Sequence, residues 1–317
     1  MPKAEALACL RAESPDHRIM VEGPGFLVVE CQSGSVARVA DRLALTHRLG
    51  RYLGSTSLED LDKVVSVLDI PPGSLCVRAK KVEGLHPDVD TFDLARKVGK
   101  ILASRHGIDL THPDLRLRVL LSDKVHFLLV EREIDRRQFD RRKVAERPFF
   151  SPISLHPRYA RALVNLTEAR EGETLLDPFC GTGGIVLEAA LLGIRAIGSD
   201  IDPGMVEGCQ RNLEHFGVSA RVEVSDIGDI REKFGPVRTV ATDPPYGRAS
   251  STKREELDGL YERGLRAMAE IVVPGGRLAV VMPREVSSPV LTLVQMHHQR
   301  VHRSLTRHYH VFTRPLS

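Results

Sequence analysis

Four apolar runs in the second half of the chain, Thr174–Asp177, Ile194–Asp200, Ala220–Asp226 and Val237–Asp243, each lead into an aspartate, and residues of helical pattern separate them. Short apolar strands alternating with helices are the rhythm of βαβ units and a parallel sheet. In open α/β sheets ligands bind at the carboxyl ends of the strands, so this order sets four acids along one edge where a ligand lies. An aspartate at one strand end is more often a turn former or a helix cap. Repeated at successive strands of one sheet, it predicts a site.

The first strand runs directly into Pro178-Phe179-Cys180-Gly181-Thr182-Gly183-Gly184 and then a helix, Ile185 to Leu192. Glycines in such a turn let a ligand approach the backbone, and the helix start favours a negative group such as a carboxylate. A dinucleotide fingerprint would read Gly-x-Gly-x-x-Gly, which Gly181-x-Gly183-Gly184 does not. The turn from Asp177 to Gly183 instead resembles that of S-adenosylmethionine (SAM) enzymes that methylate amino groups. That resemblance implies SAM as cofactor, held around Asp177, Phe179, Gly181 and Gly183. Asp200, followed by Ile201, stands about twenty residues beyond the glycines, where a carboxylate can accept both ribose hydroxyl protons. Asp202 is its near alternative. At the third strand the resemblance assigns Asp226 to the adenine amino group and Ile227 to a face of the ring, with Asp229 competing for the acid's role.

The fourth strand ends in Asp243-Pro244-Pro245-Tyr246-Gly247. An exocyclic amine on an aromatic base is a poor nucleophile because its lone pair is delocalised into the ring. Asp243 and the Pro244 carbonyl can each accept one N–H of such an amine, which orients the nitrogen and frees the lone pair by positioning and electrostatics. Pro244 and Pro245 fix the backbone, and Tyr246 offers a ring for the base to stack on. Whether the departing proton goes to Asp243 or to water is open at this point. The polar run Arg248 to Arg254 is expected to be a mobile loop over the base.

The first half of the chain has a different texture. Residues 1–45 predict a small α/β domain with helices at Ala4–Ala12 and Ser35–Leu43 and a strand at Phe26–Glu30. Beyond it come a strand (Leu75–Ala79), the basic pair Lys80-Lys81, a helix with Phe92, Leu94, Val98, Ile101 and Leu102 on one stripe, and a hairpin with its turn at Ser122–Lys124. The helix carries Arg96, Lys97 and Lys100 off that stripe. Net charge is only +3, so a nucleic-acid partner depends on these cations sharing a face. The mixed-charge stretch through residues 135–157 predicts a solvated linker ahead of a catalytic domain at 158–317.

Composition narrows the rest. No apolar run approaches the ~18 residues of a membrane span, and residues 1–18 lack the apolar core of a signal peptide, so a cytoplasmic monomer is expected. Five scattered cysteines without a Cys-x-x-Cys pair predict reduced thiols, four of them packed as small apolar groups. The late histidines (His297, His298, His302, His308, His310) have no carboxylate interleaved at ligand spacing, so no metal is expected.

The order from strand through basic turn and helix to hairpin, over residues 46–134, resembles a THUMP domain, which implies RNA contact through Lys80, Lys81, Arg96, Lys97 and Lys100. Taken whole, the chain resembles the archaeal tRNA (guanine-10-N2) methyltransferases. The match runs through Arg147-Pro148, Leu155–Arg158, Asp177–Gly184, Gly198–Ile201, Met205, Asn212, Asp243–Gly247 and Val301–His308. It implies a Rossmann-like SAM domain preceded by a ferredoxin-like α/β domain and a THUMP domain, and methylation of a guanine N2 amine in tRNA. Ser225-Asp226-Ile227 departs from the family's commoner Gly-Asp-Ala. Three alternatives stand beside this reading: an adenine-N6 methyltransferase, an rRNA guanine-N2 methyltransferase, and a non-catalytic RNA-binding protein with a relic SAM domain.

Overall fold

Strand and helix alternate throughout the chain, which the structure, a computed structural model, describes for residues 1–82, 84–151, 154–245, 257–303 and 305–316. Helix α1 (Pro2–Glu13), the hairpin β1 (Arg18–Gly23) and β2 (Phe26–Glu30), and α2 (Val36–Arg42) come first. Next are β3 (Arg48–Thr56), α3 (Leu61–Ser66), β4 (Leu75–Lys81), α4 (Thr91–Leu102), β5 (Leu115–Leu121) and β6 (Val125–Glu133). A short α5 (Arg137–Asp140) and α6 (Pro157–Leu166) lead to β7 (Thr174–Asp177), α7 (Gly184–Ala190), β8 (Arg195–Asp200), α8 (Pro203–His215), β9 (Arg221–Val224) and α9 (Ile230–Phe234). Last are β10 (Val237–Thr242), α10 (Leu257–Ile271), β11 (Val272–Met282), β12 (Thr292–His302) and β13 (Leu305–Thr313). Contacts divide the chain into a larger unit, residues 1–16, 33–45 and 135–317, and a smaller one, residues 17–32 and 46–134.

The larger unit is Rossmann-like. Its seven-stranded sheet runs β12-β13-β11-β10-β7-β8-β9; the last five are mutually parallel, and β13 returns antiparallel between β11 and β12. Successive residues of a strand serve opposite faces. Leu175, Ala279 and Val281 join a core with α6, α7 and α8, while Leu176, Leu278 and Val280 join another with α9 and α10. From β7 the chain moves outward through β8 and β9, then returns to place β10 on the other side of β7. That reversal opens a crevice at the carboxyl ends of β7 and β10, where Asp177 and Asp243 stand.

Two boundaries differ from expectation. Residues 1–45, expected as one small domain, divide between the units. Helices α1 and α2 belong to the larger one, where buried Glu5 accepts the N–H groups of Ala44 and Leu45 and the Asn165 amide of α6, each at 2.9 Å. The β1–β2 hairpin belongs to the smaller one, with Phe26 and His126 ring centroids 4.6 Å apart.

Residues 135–157 are a packed segment and not a solvated linker. Phe139 is fully buried, with the Arg142 and Arg161 guanidiniums 5.2 and 5.9 Å from its ring centroid. Both arginines pair with buried Glu188 of α7, at 2.8 and 2.9 Å. Phe149 exchanges two backbone bonds with the Asn212 side chain of α8, at 3.0 and 2.8 Å, and its ring occupies the space that a Cβ on Gly208 would enter at 2.0 Å. The charge run reads as solvated because its counter-charge, Glu188, lies outside its own sequence.

In the smaller unit the sheet order is β3-β6-β5-β4. Only β4 and β5 are parallel, and α4 makes the crossover that a parallel pair requires. Leu75, Val77, Leu117, Val119, Phe127 and Leu129 face α3 and α4 in a single core. The hairpin turns at 122–124 as expected. Phe92, however, is 70% exposed. Asp90 caps α4 through the N–H groups of Phe92 and Asp93, which puts Phe92 in the first turn and off the buried stripe.

Candidate active site

Two glycines shape the turn after β7. Gly181 (φ 49°) and Gly183 (φ 82°) lie in the left-handed region that side chains disfavour, and a Cβ on Gly183 would come within 2.4 Å of Cys209 Sγ. A Cβ on Gly181 would meet only open space, so the backbone there can receive a ligand closely. The Gly181 N–H donates to Asp200 Oδ2 and the Asp202 N–H to Asp200 Oδ1, both at 3.0 Å. The Ile201 N–H is a third backbone partner of this carboxylate, so it is fixed in place and keeps lone-pair capacity for a hydroxyl donor. The Asp202 side chain is occupied elsewhere, capping α8 by accepting the Gly204 N–H at 2.8 Å. Ile201 lines the same cleft.

At the third strand end Asp226 accepts the Gly228 N–H at 2.7 Å and pairs through both oxygens with Arg263 of α10. Burial works to raise its pKa, but Arg263 and the Gly228 N–H outweigh burial and hold the carboxyl below the usual range. Asp229 is the N-cap residue of α9 without a side-chain cap bond. Ile227 is buried and shares a core with Phe179; both rest beside Gly264 of α10, where a Cβ would lie 3.5 Å from Phe179 and 3.9 Å from Ile227.

The deep end of the crevice holds two acids. Asp177, almost wholly buried, accepts the Thr242 hydroxyl at 2.6 Å and the Phe179 N–H at 3.2 Å. Burial pushes its pKa up to about 7, with Asp243 and Asp200 adding repulsion against those two bonds. Asp243 is raised to about 7 by burial as well, and Arg307 opposes the shift. Its Oδ1 is buried with no hydrogen-bond partner among the described residues. A buried, unsatisfied acceptor is costly, and here it borders a cleft also lined by Pro244, Pro245 and Asp200. Tyr261 of α10 donates its hydroxyl to the Pro245 carbonyl at 2.9 Å, which braces the Pro-Pro turn from below. Tyr246 and the run 248–254 lie outside the described residues.

Asp177, Phe179, Gly181, Asp200, Ile201, Asp226 and Ile227 line one cleft, whereas Gly183 packs behind it against Cys209. An amine acceptor, a pair of ribose acceptors, an open glycine turn and apolar walls fit SAM. Arg263, Thr242 and Tyr261 cannot be singled out from sequence, since nothing local distinguishes them from other polar residues of an amphipathic helix or strand.

The five predicted RNA contacts fare differently. Lys81 Nζ donates to the carbonyls of His86, Pro87 and Val89 at 3.1–3.4 Å. Arg96 pairs with Asp93 at 2.9 Å and Lys97 with Asp62 at 2.7 Å. Lys80 and Lys100 are exposed. Among the histidines, the fold supplies a carboxylate that sequence spacing did not: Glu285 Oε1 lies 3.5 Å from His298 Nε2, with His308 beside them. All five cysteines are free thiols, and Cys9, Cys76, Cys180 and Cys209 are buried.

Comparison with known proteins adds a second line of observation. Residues 145–308 match the family model described as UPF0020, RMKL-like, methyltransferase domain. The chain is 35% identical to a tRNA (guanine(10)-N2)-dimethyltransferase of Methanothermobacter thermautotrophicus, over 99% of this chain and 96% of that protein. It is 36% identical to the protein of the same name from Pyrococcus abyssi, over 86% and 85% of the two chains. Among solved structures it resembles TrmN from Thermus thermophilus, with a TM-score of 0.61 and 26% identity over 98% of this chain and 95% of that one.

Proposed function

This chain belongs to the RMKL-like methyltransferase family, UPF0020, and on that premise we propose that it is a SAM-dependent enzyme methylating the exocyclic N2 amine of guanosine 10 in tRNA. The observation that carries the chemistry is the buried Oδ1 of Asp243, which has no partner among the described residues at the carboxyl end of β10. A base amine entering the cleft satisfies it. Bound against Asp200 and the Gly181 turn, SAM supplies a methyl group on a positively charged sulfur.

The chain's own residues then position the amine. Asp243 accepts one N–H and the Pro244 carbonyl the other, so the nitrogen lone pair is turned out of conjugation with the ring, and the proton that nitrogen loses on gaining the methyl group passes along its bond to the Asp243 carboxylate. Arg307 favours the ionised form of Asp243 against its burial, and the Tyr261 hydroxyl steadies the Pro245 carbonyl. Asp200 would hold the ribose hydroxyls of the cofactor, and Asp226, whose carboxylate is already engaged by Arg263, would hold the adenine end together with Ile227 and Phe179.

The choice of guanine in tRNA rests on the names of the full-length relatives. The smaller unit is the RNA-holding, THUMP-like part, a reading supported by its strand, basic turn, helix and hairpin order. Among the described residues no helix is long and apolar enough to cross a membrane, and a tRNA substrate is met in the cytoplasm. Nucleoside mass spectrometry of tRNA incubated with the enzyme and SAM tests the proposal. N2-methylguanosine, or its N2,N2-dimethyl form, is the expected product; N6-methyladenosine, or no modified nucleoside, contradicts it.

A further inference from the structure

The smaller unit's sheet has a face that its helices do not cover, and its chemistry is uneven. Leu75, Val77 and Ala79 of β4 and Leu117, Val119 and Leu121 of β5 face the helical core. Alternation along a strand therefore turns Arg78, Lys80, Arg116 and Arg118 to the opposite face. The parallel register sets Arg78 beside Arg118, Cys76 beside Arg116 and Lys80 beside Leu120. Arg78, Lys80 and Arg116 are exposed and Arg118 is half-buried. Across the sheet the Arg78–Arg118 row continues through Leu128 of β6 to Tyr52 of β3. A basic half and an apolar, aromatic half thus share one surface.

Like charges side by side on a sheet repel and destabilise it. Burial lowers the pKa of Arg118, and the neighbouring charges of Arg48 and Arg78 lower it further, with Glu133 in opposition. Glu133 is already bonded to Arg48 at 2.8 Å. Among the described residues none of Arg78, Lys80, Arg116 and Arg118 has an ion-pair partner. The helix-side cations put forward from sequence contrast with them: Arg96, Lys97 and Lys81 already have acceptors within the fold. Three guanidiniums and an ammonium held together, with Glu133 bonded to Arg48 as the carboxylate near them, suit a polyanion. The planar forks of arginine match phosphate oxygens, whereas at the other end of the row Tyr52 is hydrogen-bonded to His126 at 3.1 Å, and His126 lies against Phe26 of β2.

We propose that this open sheet face, through Arg78, Arg116 and Arg118 with Lys80, is the surface that grips the RNA backbone, in place of the α4 side of the unit. The proposal rests on the reading of the chain as a tRNA-modifying enzyme.

It is tested on the full chain by measuring tRNA affinity across a salt series for the wild type and for the triple variant Arg78→Gln, Arg116→Gln, Arg118→Gln. Calorimetric SAM affinity serves as the check on folding. Loss of about three phosphate contacts should make the log–log salt slope shallower by roughly two to three and weaken binding at least about ten-fold. SAM affinity should not change. The helix-side pair Arg96→Gln, Lys97→Gln should leave the slope nearly as it is. If the triple variant loses SAM affinity, the exposed single variants Arg78→Gln and Arg116→Gln replace it, each expected to reduce the slope by about one. An unchanged slope with SAM affinity intact overturns the proposal, as does a larger effect from the helix-side pair. Competition by polyglutamate as effective as that by tRNA would assign the face to an acidic protein and overturn it too. Failure of the methylation reading is separable, because it shows in the nucleoside products and leaves the slopes untouched.

Discussion

The crevice of the larger unit and the open sheet face of the smaller one use charge in opposite ways. In the crevice, acids are taken out of water: Asp177 and Asp243 rise to about 7, and Asp243 Oδ1 has no partner among the described residues. On the sheet face, cations are kept in water and near each other, with Glu133 already committed to Arg48. The first arrangement suits short, directed bonds to a neutral amine, where low dielectric makes each bond count. The second produces a diffuse field that salt screens and that acts on a chain of phosphates. Positioning chemistry calls for burial; long-range capture calls for exposure.

The largest effect should follow from removing the buried acceptor. Asp243→Ala is expected to lower single-turnover methyl transfer by about 100- to 10,000-fold, while tRNA affinity and its salt slope stay at wild-type values. The arginine variants of the sheet face should do the converse. Their loss should appear in binding and be recovered in rate once tRNA is saturating. A loss of RNA binding in Asp243→Ala would erase the distinction between the two regions.

A smaller effect sharpens the account of burial. With a folded-state pKa near 7 and an unfolded one near 3.8, the Asp243 carboxyl binds its proton more tightly in the folded chain. Stability from that proton is fully present below about pH 4 and is lost as pH rises through about 7. Asp243→Asn should therefore stabilise the SAM-free enzyme by ~2–4 kcal/mol at pH 8 and by little at pH 4. Thermal unfolding at the two pH values measures it. Equal shifts at both would mean that burial does not govern this acid. The corresponding substitutions on the exposed sheet face should show no such pH dependence between 4 and 8.

The two regions also differ in how far they can be read from sequence. Asp177, Asp200, Asp226 and Asp243 mark strand ends, and a strand end in a parallel sheet is a position in space as well as in sequence. Their convergence in one cleft follows from topology. Gly183 was legible for a similar reason, since its positive φ is a local property of the turn. The sheet face was not legible, because Arg78 and Arg118 become neighbours only through the β4–β5 register. Lys97 stands out as part of a basic run, yet its partner Asp62 stands on another helix. Residues 135–157 mislead on the same ground: what holds Arg142 is Glu188 on α7. Arg263 closes on Asp226 from α10 across the cleft, and nothing near it in sequence announces that. Local motifs revealed groups that act alone at strand ends, whereas paired charges needed the fold.

The measurement that bears most directly on the central claim uses a tRNA transcript carrying inosine in place of guanosine 10. Inosine keeps the ring and the backbone and lacks only the N2 amine. With methyl-labelled SAM, the guanosine transcript should accept label at that position and the inosine transcript should accept none while binding equally well. Equal labelling of the two would show that the methyl group goes elsewhere and would contradict the role assigned to Asp243 and Pro244.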